Sequence, residues 1–357
     1  MWNRKFLTLG VIGAAAASCG TGISASPATT STSGAIPPST TTTTVVTKVS
    51  PLTGLPYANP DYANRPAIAA KIDNAPQAWP QSGILRSDVV YEEMVEGGYT
   101  RYMIVLQSQD ASVLGPIRSV RASDADIASP LRGFFAYSGG IPAFVADIRK
   151  SGVTDVGAYV LGGVYYRLSS RPAPHNLYTS TTAIYAAAAK AGLSAHLPPK
   201  LFQFRKPGSG FTAAGAQPVN TFRVDISGNS NALWTWDAAA GYWTRSTNGI
   251  LQRNPQGLVE NAKSVIIEFV NYTNTGFVDP AGNPVPQAHS VGTGNAIFLS
   301  GGEVATGTWS KASESAVTTF SDSSGQPIKL APGRTWVEFA PVGTPTTASP
   351  AISGPTS

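Results

Sequence analysis

DVVYEEMVEGGYTRYMIVLQ, residues 88 to 107, reads as two β-strands folded back on one another. Asp88 to Val95 is β-branched and aromatic, Gly97-Gly98 supplies a turn, and Thr100 to Gln107 returns. A period of two puts Val89, Tyr91, Glu93 and Val95 on one face, so Glu93 is expected among apolar neighbours. Upstream, Pro66 to Asp73 predicts a strand ending in the polar turn Asp73-Asn74-Ala75-Pro76. Downstream of Gly115-Pro116, helices are predicted over Ser123 to Leu131, Pro142 to Lys150 and Thr182 to Ala191, with a strand at Phe134 to Tyr137 between the first two. The first half is therefore α/β.

After about Pro198 the texture changes to Pro and Gly clusters between alternating runs. Strands are predicted at Thr221 to Ile226, Ala232 to Trp236, Gly241 to Arg245, Ser264 to Tyr272, Ala296 to Leu299, Val304 to Ser310 and Thr335 to Pro341. The expected fold class is α/β (α+β), an α/β amino-terminal half over residues 51–200 and a hairpin-rich β half over 201–341. Trp234 and Trp236 share a face of one predicted hairpin, where indoles more often fill a core than form a sugar platform.

The ends read as segments outside the fold. Arg4 and Lys5, an apolar run from Phe6 to Ala17 and small residues up to Ser18 form an export signal over residues 1–18. The single cysteine, Cys19, follows directly and resembles the lipidation site of bacterial lipoprotein precursors, with Ala16 where Leu is usual. A plain secretory signal or an uncleaved anchor are the alternatives. Residues 19–50, rich in Ser, Thr and Pro, suit a disordered tether holding the body off a membrane, and residues 342–357 a disordered tail.

Of 357 residues only 13% are charged, and 25 basic residues face 20 acidic ones. That balance is too even for a nucleic-acid face, and one cysteine excludes a disulfide framework. The chain carries no phosphate-binding glycine loop ending in Lys, no serine-hydrolase elbow, and only three histidines, His175, His196 and His289. No cofactor is implied.

Charge instead gathers in four stretches of the first half. KIDN holds Lys71, Asp73 and Asn74; YEEMVEGGYTR holds Glu92, Glu93, Glu96, Thr100 and Arg101; GPIRSVR holds Arg118, Ser119 and Arg121; RPAPHNLY holds Arg171, His175 and Asn176. With PQSG at Pro80 to Gly83 and GTW at Gly307 to Trp309, these stretches resemble the YerB-like lipoproteins, a bacterial family of domains of unknown function. The resemblance spans nearly the whole body and implies a sandwich of β and α layers. It implies no reaction.

Arg118 and Arg121, three residues apart before a predicted helix start, could converge with free N–H groups on a phosphate or carboxylate. Equally, each could pair with Asp73, Glu93 or Glu96 and lock the hairpin in place. His175, stiffened by Pro172 and Pro174, could serve as a base oriented by a carboxylate, or bond backbone carbonyls. Asp73, Glu93, Glu96 and His175 lack local metal-ligand spacing.

Two functions follow. One is a lipid-anchored protein on the outer face of the bacterial cytoplasmic membrane that binds an anionic cell-wall glycan or peptide, or an envelope protein, through a pocket drawn from Asp73, Asn74, Glu93, Glu96, Arg101, Arg118, Ser119, Arg121, His175 and Asn176. The other is a hydrolase or transferase on a wall polymer, with Glu93 or Asp73 and His175 moving protons and the two arginines stabilising an anion. A cleft shared by Glu93, Arg118, Arg121 and His175 would favour the enzyme.

Overall fold

A computed structural model describes residues 48–350. The expected hairpin forms as β2 (Val89–Met94) and β3 (Thr100–Leu106), antiparallel, with Glu93 opposite Arg101. Gly97 and Gly98 take φ of 66° and 72°, a left-handed pair that side chains rarely adopt. β1 (Ile68–Asp73) lies antiparallel to β3, β4 (Phe134–Ala136) parallel to β1, and β5 (Thr154–Asp155) parallel to β4.

The other edge of β2 is not an edge of the sheet. Strand Thr335–Pro341, close to the carboxy terminus, runs parallel to β2 and, on its far side, parallel to Ser264–Val278. Gly292–Ser300, Glu303–Lys311 and Thr319–Asp322 continue the sheet antiparallel. The two sequence halves thus share one mixed sheet, an α/β part running into a β-rich part. Layers cover both faces, so the central strands are buried throughout rather than alternating.

On one face lie α1 (Asp124–Ala128), α2 (Pro142–Lys150) and the segment around Leu201 to Phe211. The other carries α3 (Thr181–Lys190) and a second sheet built from Gln217–Ser227, Ser230–Asp237 and Tyr242–Thr247. α2 matches the predicted span because Pro142 starts it, and Ser180 caps α3 by accepting from the Ala183 N–H at 3.1 Å. α1 is shorter than predicted: Pro130 has no N–H to donate, and Ser129–Leu131 tightens into a 3-10 turn.

The tail also departs from expectation. Thr346–Pro350 pairs antiparallel with Gln217–Ser227, since strand pairing uses backbone groups and needs no apolar side chains. The Cys19 reading lies outside the described residues. Trp234 and Trp243 are buried and Trp236 is half-buried, so the indoles fill the core between the sheets. In the GTW motif, a Cβ on Gly307 would come 2.0 Å from the Ser321 carbonyl oxygen, so only glycine fits there. Its Trp309 donates from the indole to the Phe269 carbonyl at 3.1 Å. Among the described residues no helix is long and apolar enough to cross a membrane.

Candidate functional site

The ends of β1 and β3, the 95–99 turn, the 118–121 segment and the 172–175 loop surround an open cleft of about 430 Å³. Asp73 anchors it: its Oδ2 lies 2.6 Å from His175 Nδ1 and 2.9 Å from Arg118 Nε, and its Oδ1 accepts from the Ala75 N–H at 3.2 Å. Glu96 Oε1 is 2.6 Å from Arg121 Nε, and its Oε2 is 3.8 Å from Arg101 Nη2. The ε N–H bonds of Arg118 and Arg121 do not point at these carboxylates, so both contacts are ion pairs by proximity, not aligned hydrogen bonds.

Arg101 and Arg121 are braced from behind by backbone. Arg101 Nη1 donates to the Ser119 carbonyl at 3.1 Å, and Arg121 Nη1 to the Val120 carbonyl at 2.8 Å. Burial, together with the like charges of Arg121 and Arg118, lowers the Arg101 guanidinium from its usual range to about 9. Three guanidinium groups therefore face two carboxylates. Asp279, on the rim, is held below the usual carboxylate range by hydrogen bonds from Asn283 and Ala281 and by Arg121.

Other predicted residues fall elsewhere. Glu93 points along the same face of the sheet but is sealed beneath the cleft, paired with Lys71, whose ammonium also reaches Asp124 at 2.7 Å. A buried carboxylate of this kind cannot meet a ligand, which removes Glu93 from the proposed pocket and from proton transfer. Asn74 turns to the opposite face, donating to Thr100 at 2.7 Å and accepting from Trp79 and Gln81 at 2.9 and 2.8 Å. Asn176 ties its own loop, accepting from Arg167 at 2.6 Å and donating to the Arg171 carbonyl at 3.1 Å. Ser119 serves through its carbonyl, while its hydroxyl lies 3.4 Å from that of Ser138.

Arg118 and Arg121 converge, though not on a helix: the 117–121 segment is extended, bonded to β1 through the Arg118 N–H and the Lys71 carbonyl at 2.9 Å. Just ahead of the helix, the Asp124 side chain folds back to accept the Arg121 N–H at 2.6 Å. His196 and His289 are exposed and lie away from the cleft. Among the described residues no group of three or more His, Cys, Asp or Glu side chains is disposed to hold a metal.

Sequence reading missed Asp279 and Pro280, which reach the cleft from the carboxy-terminal half on the tip of a hairpin between Ser264–Val278 and Pro284–His289. The run Asp279-Pro280-Ala281-Gly282-Asn283 carries strong turn chemistry, with Asp279 accepting from Ala281 and Asn283 at 2.9 and 2.8 Å. It marks a turn without saying where the turn lands.

Two family models match the chain, both described as a protein of unknown function (DUF3048): the N-terminal domain over residues 52–194 and the C-terminal domain over 222–337. A Bacillus subtilis protein named "Putative lipoprotein YerB" is 29% identical over 304 residues, covering 82% of this chain and 86% of its own length. The crystal structure of the YerB protein from Bacillus subtilis has a TM-score of 0.72 at 22% identity, covering 84% of this chain and 99% of that one, and it shows a shared fold. The chain belongs to the DUF3048 family, and its own arginine-lined cleft falls mainly within the residues matched by the N-terminal domain.

Proposed function

We propose that this protein is held on the outer face of the bacterial cytoplasmic membrane by a lipid on Cys19 and binds an anionic group of a cell-wall polymer or envelope protein in the Arg101, Arg118 and Arg121 cleft. The convergence of arginines carries the reading. Three guanidinium groups meet in one open cleft against Asp73 and Glu96, with Asp279 at the rim, and Arg101 is already lowered to about 9 by burial and by its two arginine neighbours. An anion entering there would relieve that repulsion. The terminal nitrogens of Arg118 bond no protein group among the described residues and are free for a ligand. The name of the Bacillus subtilis relative supports the anchor.

The Arg118→Ala/Arg121→Ala variant is expected to bind an anionic wall-polymer fraction at least about tenfold more weakly by titration calorimetry, and the binding of the unaltered protein should weaken with added salt. Unchanged affinity in a folded double variant would refute the site. Cys19→Ala is expected to move the protein from the membrane fraction to the soluble one, and retention in the membrane would refute the lipid anchor.

A further inference from the structure

Anion binding leaves His175 unexplained. Its Nδ1 lies 2.6 Å from Asp73 Oδ2, its backbone N–H donates to the Pro172 carbonyl at 3.0 Å, and the carboxylate that orients it is 2% exposed and held by Arg118. Nε2 bonds no group among the described residues, and the ring lines the cleft with the guanidinium groups. With Nδ1–H directed at Asp73, Nε2 presents a lone pair to whatever the arginines hold. We propose that the cleft hydrolyses a phosphodiester, with His175 as general base; the proposal rests on the anion-binding reading and adds a reaction to it.

Charge selects the substrate class. With Asp73, Glu96 and the rim carboxylate Asp279 the three guanidinium groups are already balanced, so a diester monoanion brings less unmatched charge into the cleft than a monoester with its about 1.5 to 2 negative charges at pH 7. Neither aliphatic hydroxyl near the cleft is available to attack, since Thr100 donates to Glu92 at 2.7 Å and Ser119 lies against Ser138, so the attacking group is water. The water oxygen forms a bond to phosphorus as the bond to the leaving alcohol oxygen breaks. The water proton passes to Nε2, giving an imidazolium paired with Asp73, and then to the leaving oxygen. The products are a phosphomonoester and an alcohol, with no change of oxidation state. The arginines take up the charge that grows on the non-bridging oxygens.

The probe is bis(4-nitrophenyl) phosphate, with release of 4-nitrophenolate followed for the purified full-length protein. Turnover is expected, at least about tenfold faster than for 4-nitrophenyl phosphate. His175→Ala should lower kcat by about 10²- to 10⁴-fold, with a far smaller change in KM, and regain part of the rate with added imidazole. Asp73→Asn, which alters a positioning residue, should lower kcat with little change in KM, because the imidazole loses the acceptor that orients it. No turnover of the diester by protein that still binds wall polymer through its arginines overturns hydrolysis and leaves binding standing. Turnover that survives His175→Ala also overturns it. Loss of both binding and turnover removes both readings.

Discussion

Replacing Arg245 by Met is expected to lower the stability of the protein by about 3 to 5 kcal/mol, the usual cost of removing one partner from a buried ion pair. Arg245 sits between the two sheets with no exposed surface, its Nη2 2.7 Å from both oxygens of Glu92 and its Nε 3.7 Å from Glu338. Two indoles close the cluster, Trp336 donating to Glu92 at 3.1 Å and Trp234 to Glu338 at 3.0 Å. The guanidinium also lies 5.2 Å from the centre of the Trp336 ring. Methionine would fill the volume but strand Glu92 without a countercharge. Glu92→Gln in the same chain should restore more than half of the loss, because glutamine carries no charge to balance and its one carbonyl oxygen can still accept from either Trp336 or Thr100. Denaturant unfolding of the two single variants and the double variant measures the coupling. A single Arg245→Met variant as stable as the parent would show that the cluster does not hold the sheets together.

Arg245 also shows what could be read in the sequence and what was passed over. The run Tyr242 to Thr247 alternates, with Trp243, Arg245 and Thr247 buried and their neighbours half-buried. A period of two puts Trp243, Arg245 and Thr247 on one face, so the buried arginine was legible in principle. The β2–β3 hairpin was legible because its register, turn and strand chemistry are all local. Asp73, Arg118 and His175 were named as polar residues of four short stretches, but their meeting at one carboxylate depends on β1 pairing with β3 and on a loop about a hundred residues away. Glu93 was misplaced for a related reason. Strand periodicity gave its face correctly, yet only the position of Lys71 along β1 decides that it is sealed below the cleft rather than open to it. The insertion of Thr335–Pro341 against β2 had no local signal at all. Its strand was predicted to the residue, but a strand does not carry the name of its partner.

Raising the pH from 5 to 8 is expected to destabilise the protein. Six carboxyl groups among the described residues are pushed up, each chiefly by burial, Asp88 and Asp126 among them. Glu338 reaches about 8, with Glu92 adding to the shift; Glu268 reaches about 8 and Glu260 about 7. Asp124 reaches about 7 despite the opposing charge of Lys71. A raised carboxyl favours folding fully below its unfolded value, near 4 to 4.5, and loses that contribution as the pH climbs through the folded value. The window is therefore about pH 4.5 to 8, with a slope on the order of 1.4 kcal/mol per pH unit for each proton the unfolded chain has released. Below it the sign reverses. Asp322, held down to about 2 by hydrogen bonds from the Ala214 N–H and Ser324, adds stability that disappears only in stronger acid. Thermal unfolding across this range should thus show a maximum near about pH 5 and a falling melting temperature towards pH 8. Glu268 isolates one contribution, since its Oε2 has no hydrogen-bond partner and Lys311 is the charge that opposes its shift. Glu268→Gln should flatten the decline and raise the melting temperature at pH 8 relative to the parent while changing little at pH 5. A parent whose stability rises from pH 5 to 8, or a variant with the same slope, would mean that these carboxyls do not hold their protons in the folded interior.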